Sequence, residues 1–510
     1  MINAAYEIER ILKFGIRKNM IFKWDVIPVR NALMDLLKIE VPYKNEFKDT
    51  DDETPVNILS NILDYAYETG IIKNNTVTER DLLDARIMGL LMPRQSEVNK
   101  KFYEKMNSGN IKEAVDEFYE LCKSSHYIMT ERIAKNQKWY AKTEYGDLEI
   151  TINLSKPEKD PSEIANARNE KQSSYPECLL CVENIGYAGR LNHPARQNLR
   201  AVPITLTGEQ WYFQYSPYSY YNEHCIVFNE KHVPMKLTES SIKRLIEFVD
   251  LFPHYFIGSN ADLPIVGGSI LTHDHYQGGN HKFPMEMAEV EKTFTNHEFT
   301  NVKIGIVKWP MSVIRLSSDD KESLIRGAIY ILNSWINYSD SDNEISAFTG
   351  DIPHNTITPI ARRKNDGYEL DLVLRNNRTT DQYPFGIFHP HSNLHHIKKE
   401  NIGLIEVMGL AILPGRLNKE LSKITEILTG KVKYDRDAIE KDINLSKHSL
   451  WIEKMIKENK NPLKAEDCEN LLKKEIGIIF SKVLEDSGVF KRNDKGKLGF
   501  DKFLNSINIY

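Results

Sequence analysis

Apolar residues recur at helical spacing through residues 1–125. Ile11, Leu12 and Ile16 form one such set, and Val56, Ile58, Leu59, Ile62 and Leu63 form another. Thr78 with Asp81 ahead of Leu82-Leu83 predicts an N-cap there, and Asn110 to Lys123 repeats the pattern. From about Trp139 the period changes to two: Leu148 to Ile152, Lys303 to Val307 and Glu369 to Leu374 alternate, and turn residues punctuate the segment densely. The polar stretch Lys156 to Ser174 predicts a solvated loop. After Pro414 helical spacing returns in Leu421 to Leu428, Leu450 to Ile456 and Leu471 to Val483. The chain therefore reads as a helical region 1–125, an α+β core 126–415 and a helical region 416–510, with Gly, Pro and His concentrated in the core.

Composition narrows what such a chain does. Its 510 residues carry 67 Lys+Arg against 72 Asp+Glu, a formal net charge of −5, with 41% hydrophobic and 27% charged residues. These values suit a soluble globular protein of several folding units. Without a basic surplus there is no reason to expect nucleic-acid binding. No apolar run approaches the roughly 18–20 residues that span a bilayer, and Met1 to Arg10, with Glu7 and Glu9, does not read as a signal peptide. Five scattered cysteines make no disulfide scaffold, so a reduced, cytoplasmic chain is expected.

The segment richest in chemistry is Gly267-Gly268-Ser269-Ile270-Leu271-Thr272-His273-Asp274-His275-Tyr276-Gln277-Gly278-Gly279. If it is extended, side chains 273, 275 and 277 share one face, which aims two imidazoles and a carboxamide at one spot. Gly267, Gly268 and Ser269 would let backbone N–H groups cradle phosphate oxygens. A neutral imidazole is a good nucleophile near pH 7, whereas Gln277 donates a hydrogen bond but delivers no proton. Such a site transfers a group between bound substrates in preference to activating water. Two other readings fit the same residues: a turn whose rings bond only locally, and a metal-dependent phosphohydrolase ligated by His273, Asp274 and His275. Alternation opposes the second, because it turns Asp274 to the other face.

Cys178 and Cys181 form the one Cys-x-x-Cys pair, and the strand-like run from Cys225 ends in a turn that carries His232. With His273 these make a Cys₂His₂ set of the kind that holds structural zinc; the alternative is two small buried cysteines and a surface histidine. A second group, His354, His389, His391, His395 and His396, suits a further metal, anion contacts or plain solvation. Arg196 and Arg200, set among amides in Asn192 to Arg200, suit phosphate and base edges. Asn260, ahead of the glycine turn, is a further candidate for a phosphate contact.

Three blocks carry a family resemblance. Asp262 to Gly279, Pro194 to Arg200 and Glu400 to Pro414 resemble the bacterial class II galactose-1-phosphate uridylyltransferases, and the similarity spans nearly the whole chain. The resemblance implies a UDP-glucose–hexose-1-phosphate uridylyltransferase with UDP-glucose and galactose-1-phosphate as substrates. Class I enzymes belong to the histidine-triad superfamily and connect to this chain through short motifs only. They imply a histidine-triad-like antiparallel-sheet core with helical flanks, and the flanks are candidates for homodimer contacts. Their His-Pro-His-x-Gln motif implies His275 as nucleophile and Gln277 as phosphoryl contact, with Asp274 standing where they have proline. Their zinc ligands correspond by position to Cys178, Cys181, His232 and His273. The histidines of their second metal site correspond to His354, His389 and His391, with no secure glutamate here. The reaction so implied is a double displacement through a uridylyl-histidine. The competing readings are a nucleotidyl hydrolase of the same superfamily and a catalytically inactive nucleotide-sugar-binding protein.

Overall fold

Apolar stripes on successive helices explain the N-terminal region. Helices Ala4–Arg17, Val26–Leu37, Val56–Glu68 and Val77–Leu91 turn Ile8, Ile11, Phe14, Leu33, Leu59, Ile62 and Leu91 into one buried core. Burying each such side chain stabilises by roughly 1.5–3 kcal/mol. The N-cap expected at Thr78 lies two residues earlier, and the helix runs from Val77. Its cap is Thr76, whose hydroxyl accepts the Glu79 N–H at 3.3 Å. Thr76 sits three residues ahead of Glu79, the spacing that lets a cap oxygen reach an otherwise unbonded N–H. Helices Gln95–Asn107 and Ile111–Ser124 follow.

The computed structural model describes residues 2–45, 54–155, 173–268, 270–459 and 462–510. Most of the expected loop at Lys156 to Ser174, namely 156–172, lies outside them, as does Ser269. Among the described residues no helix is long and apolar enough to cross a membrane. Two compact units emerge, each assembled from three separated segments. The first comprises Met1–Lys135, Ser155–Val233 and His273–His275; the second comprises Asn136–Leu154, Pro234–Thr272 and Tyr276–Tyr510. These units divide the chain differently from the linear partition that periodicity suggests.

In the first unit the helices accompany an antiparallel meander of strands Val202–Leu206, Glu209–Tyr215 and Cys225–Asn229. Phe102, Phe118, Phe213 and Tyr215 pack ring on ring beside it, with centroids 5.2–6.5 Å apart. In the second unit, strands Phe256–Gly258, Asn355–Lys364, Gly367–Asn376, Val313–Ser318, Lys303–Val307 and Val290–Phe294 pair antiparallel in that order. The hairpin Gln137–Thr143/Gly146–Asn153 takes Leu410–Pro414 as a parallel third strand. Helix Ala465–Ser487 lies so close to that hairpin that a Cβ on Gly477 would stand 2.2 Å from the Ala141 Cβ. The fold is α+β with an antiparallel sheet and helical flanks, as expected.

Strand Gly367–Asn376 covers the alternating run Glu369 to Leu374, and both of its faces are buried. Its polar alternates Glu369 and Asp371 face arginines instead of water. Arg315 binds both Asp371 oxygens at 2.7 and 3.0 Å, and Arg362 joins Glu369 to Asp371. Buried carboxylates persist only when paired in this way.

His126 shows the same rule in the first unit. At φ +56° it follows helix Ile111–Ser124, with Nδ1 2.9 Å from Asp84 Oδ2 and Nε2 3.1 Å from Glu131 Oε1. Burial alone would lower its pKa, but the two carboxylates outweigh burial and lift it to about 10. The charged ring therefore stabilises the fold fully below the ordinary histidine pKa, and that contribution is lost as pH rises toward about 10. Replacing His126 by Gln should cost about 3–5 kcal/mol near pH 6. Denaturant titrations of the two proteins should converge as pH approaches 10; a gap that stays constant would show that the ring is not held charged.

Candidate active site and metal centre

A turn and a bend bring the expected metal ligands together. Cys178 and Cys181 flank a tight turn in which Cys181 N–H reaches the Cys178 carbonyl at 3.4 Å. His232 follows strand Cys225–Asn229, where the Asn229 side chain accepts the Lys231 N–H at 2.9 Å and so turns the chain. The Sγ atoms lie 3.5 Å apart. His273 Nδ1 is 3.3 Å from Cys178 Sγ and 3.7 Å from Cys181 Sγ, and His232 Nδ1 is 3.2 Å from Cys181 Sγ. All four ligand atoms fall within 4.8 Å of one another.

Those separations suit a tetrahedral ion. Ligands at zinc distances, about 2.3 Å for sulfur and about 2.0 Å for nitrogen, stand roughly 3.3–3.8 Å apart across a tetrahedron. The surroundings fit as well. His273 Nε2–H donates to the Asn229 carbonyl at 2.8 Å, which turns the Nδ1 lone pair toward the sulfurs. Burial lowers the His273 pKa and pushes the Cys181 thiol up to about 12, so a bound dication is what would hold that sulfur as thiolate. Backbone N–H groups of Cys178 and Leu180 approach the sulfurs at 3.3 Å each.

One expectation about this segment is corrected. His273 does not share a strand face with His275, because the strand starts only at His275 and runs to Gly279. His273 lies in the bend before it, where Asp274 N–H bonds the Val233 carbonyl at 2.7 Å and Asn229 N–H bonds the Asp274 carbonyl at 3.0 Å. The bend gives the two rings different partners. His275, 6% exposed, donates Nδ1–H to the His273 carbonyl at 2.8 Å. That bond commits Nδ1 and leaves Nε2 as the unprotonated nitrogen. Burial drives the His275 pKa down to about 4, so the ring is neutral at physiological pH. Gln277 follows two positions along the same strand, opposite Gly258 in the pairing with Phe256–Gly258; buried Tyr276 alternates with both.

The other candidates fare unequally. In the second unit, Asn260 is buried and its Oδ1 accepts Leu404 N–H at 2.8 Å. A Cβ on Gly268 would lie 2.7 Å from Asn260 Nδ2, and one on Gly267 2.5 Å from the Ala261 carbonyl, so this turn requires glycine at both positions. In the first unit, Arg196 keeps its guanidinium half-exposed over Tyr127, 5.5 Å from the ring centroid. Arg200, expected at the substrate, is buried, and its donors reach the carbonyls of Pro93, Gln197 and Leu199 at 2.8–3.1 Å. It serves as a clamp on backbone oxygens.

His354, His389 and His391 form no metal-sized group among the described residues. His354 is bonded at both nitrogens, to Asn377 and Thr349, each at 2.8 Å. His389 reaches the Pro390 carbonyl and Asn401. A cavity of about 680 Å³ opens in the second unit, lined by Arg315, Ser317, Lys364 and Glu369 among others, and none of the candidate residues borders it. Sequence reasoning missed Asn184 and Asn229, whose roles run through amide and carbonyl hydrogen bonds. The signal for Asn184 is an amide three residues after the second cysteine.

Comparison with known proteins gives a consistent picture. The model of the galactose-1-phosphate uridyl transferase N-terminal domain matches residues 25–234, and that of the C-terminal domain matches residues 247–438. The galactose-1-phosphate uridylyltransferase of Caldanaerobacter subterraneus subsp. tengcongensis is 59% identical over 507 residues, 98% of each chain. That of Halalkalibacterium halodurans is 53% identical over 99% of each chain, and that of Bacillus subtilis 48% over 98% of this chain and 97% of its own. Among solved structures, yeast Ap4A phosphorylase Apa2 covers 64% of this chain and 90% of its own at 13% identity, with a TM-score of 0.35.

Purified from zinc-supplemented cells, the protein should carry about one zinc per chain by elemental analysis, and Cys181→Ser should carry essentially none. Stripping the metal should lower the thermal midpoint by several degrees. A metal-free protein of unchanged midpoint would remove the case for a structural ion.

Proposed function

Because the chain belongs to the galactose-1-phosphate uridylyltransferase family, we propose that it carries UMP from UDP-glucose to galactose-1-phosphate on the Nε2 atom of His275. It is a nucleotidyltransferase of galactose metabolism. The observation that carries the covalent step is the 2.8 Å bond from His275 Nδ1–H to the His273 carbonyl, which presents Nε2 with a free lone pair.

In the first half-reaction the Nε2 lone pair attacks the α-phosphorus of UDP-glucose. The bond to the bridging oxygen breaks, and glucose-1-phosphate leaves with that electron pair. The uridylylated ring is cationic, and the His273 carbonyl stabilises it through the same Nδ1–H. In the second half-reaction a phosphate oxygen of galactose-1-phosphate attacks the same phosphorus, and His275 recovers its lone pair. No proton moves at the reacting centre, which suits a glutamine at position 277: its N–H would stabilise charge on the phosphoryl oxygens and cannot protonate a leaving group. Gly267, Gly268 and Asn260 are the proposed phosphate contacts. Arg196 is the proposed diphosphate or uridine contact.

A zinc ion on Cys178, Cys181, His232 and His273 would supply no chemistry at phosphorus; its part is to fix the backbone at His273. Two thiols 3.5 Å apart survive as ligands only where they stay reduced, which supports a cytoplasmic placement.

With radiolabelled UDP-glucose the enzyme should form an acid-labile, base-stable adduct that mass spectrometry maps to His275. His275→Ala should abolish both adduct and exchange, a loss above about 10⁴-fold. Gln277→His should raise release of UMP to water relative to transfer. An active His275→Ala enzyme would refute the nucleophile, and water as the preferred acceptor of the unmodified enzyme would favour a hydrolase.

A further inference from the structure

Asn184 lies just beyond the Cys178–Cys181 turn, 2% exposed, at the end of the short helical turn Val182–Asn184. Its carboxamide nitrogen donates to two carbonyls, that of Cys178 at 2.8 Å and that of Cys181 at 2.9 Å. One side chain thus spans both ends of the cysteine turn, and the spacing of the two sulfurs depends on that turn. Its carboxamide oxygen faces His193 Nε2 at 2.7 Å. The amide can face only this way, because a flipped group would set its oxygen against two carbonyl oxygens. His193 is buried, and burial together with Arg190 and Arg196 lowers its pKa to about 4, so the ring carries a single N–H, the one given to Asn184.

His193 is in turn fixed by backbone. Its N–H and carbonyl pair with Arg190 at 3.0 and 2.8 Å, and the Tyr187 ring meets its ring edge-on at 5.4 Å. The same loop is closed by Gly186 N–H to the Arg196 carbonyl and Arg196 N–H to the Tyr187 carbonyl, at 3.0 and 2.8 Å. A Cβ on Gly189 would lie 2.4 Å from the Ala195 backbone nitrogen, so the loop is already packed to contact. The arginines and amides of the Asn192 to Arg200 segment suggested phosphate and base contacts from its sequence; its histidine bonds Asn184.

We infer that Asn184 and His193 are positioning residues that hold the Cys178–Cys181 turn in its metal-binding shape and tie it to the loop that carries Arg196. This rests on the Cys₂His₂ group being a metal site. Neither residue touches the ligand atoms. Asn184 sets the two carbonyls, the carbonyls set the turn, and the turn sets the sulfur separation. His193 sets which way the Asn184 amide points. Partners of ligands in this position typically alter metal affinity by about 10- to 100-fold when removed.

The test uses the zinc-loaded full-length protein, excess chelator and a metallochromic indicator that follows zinc release. Asn184→Ala and His193→Leu should lose zinc about 10- to 100-fold faster than the unmodified protein. His193→Gln, whose amide can also donate to the Asn184 oxygen, should stay within about threefold. The His193 pair carries the test should Asn184→Ala fail to accumulate as folded protein. Unmodified protein that holds one zinc, with His193→Leu releasing it at the same rate or His193→Gln as fast as His193→Leu, would overturn the positioning role alone. Unmodified protein that binds no zinc would overturn the metal site and the positioning role together.

Discussion

The carbonyl oxygen of His273 is the point on which the arrangement turns. It accepts Nδ1–H of His275 at 2.8 Å, while the ring of the same residue presents Nδ1 to two sulfurs and donates Nε2–H to the Asn229 carbonyl. Ring and backbone of one residue are thereby fixed by opposite ends of the local network. The carbonyl sets the tautomer of His275, two residues on. This suits the different roles proposed for two histidines so close in sequence. A ligand would need its proton off the nitrogen that meets the metal, and a nucleophile would need its proton off the nitrogen that meets phosphorus. A carbonyl behind each ring satisfies both demands without any buried charge.

That logic was partly legible in the sequence. Residue type and spacing singled out Cys178, Cys181, His232 and His273, because few sets offer two thiols and two imidazoles near turns. Strand parity then failed at His273. Parity holds only while a chain stays extended, and the chain bends at 272–273 before the strand begins at His275. The cap at Thr76 in place of Thr78 turned on which of two threonines stands three residues from a glutamate. Arg200 looked like a phosphate ligand because arginines often are, yet it clamps the carbonyl of Pro93, 107 positions away, a partner that no local pattern reveals. Asn184 escaped notice for the same reason: side-chain bonds to backbone leave no period to read.

Two buried charge clusters, one in each unit, follow the same rule. Glu369 and Asp371 alternate with apolar neighbours as on a strand with a wet face, yet the strand is covered on both sides and the carboxylates meet Arg315 and Arg362. His126 between Asp84 and Glu131 does the same on the helical side. Periodicity reports which residues share a face. It does not report whether that face meets water or a complementary charge, and here the arginines come from neighbouring strands.

The groups around His273 and His354 show what separates a metal-ready ring from a merely polar one. At His273 one nitrogen is committed to a carbonyl and the other faces thiols that gain from a cation. At His354 both nitrogens already have oxygen partners at 2.8 Å, and at His389 both are occupied by Pro390 and Asn401. An ion entering there would have to break bonds of about 0.5–1.5 kcal/mol each and reorient the rings, with no thiolate to offset the change. Clustering in sequence is therefore a poor guide to metal binding. The informative quantity is the number of ring nitrogens left facing a soft or anionic ligand once the backbone has taken its share, and that number follows from the turn, not from the count of histidines.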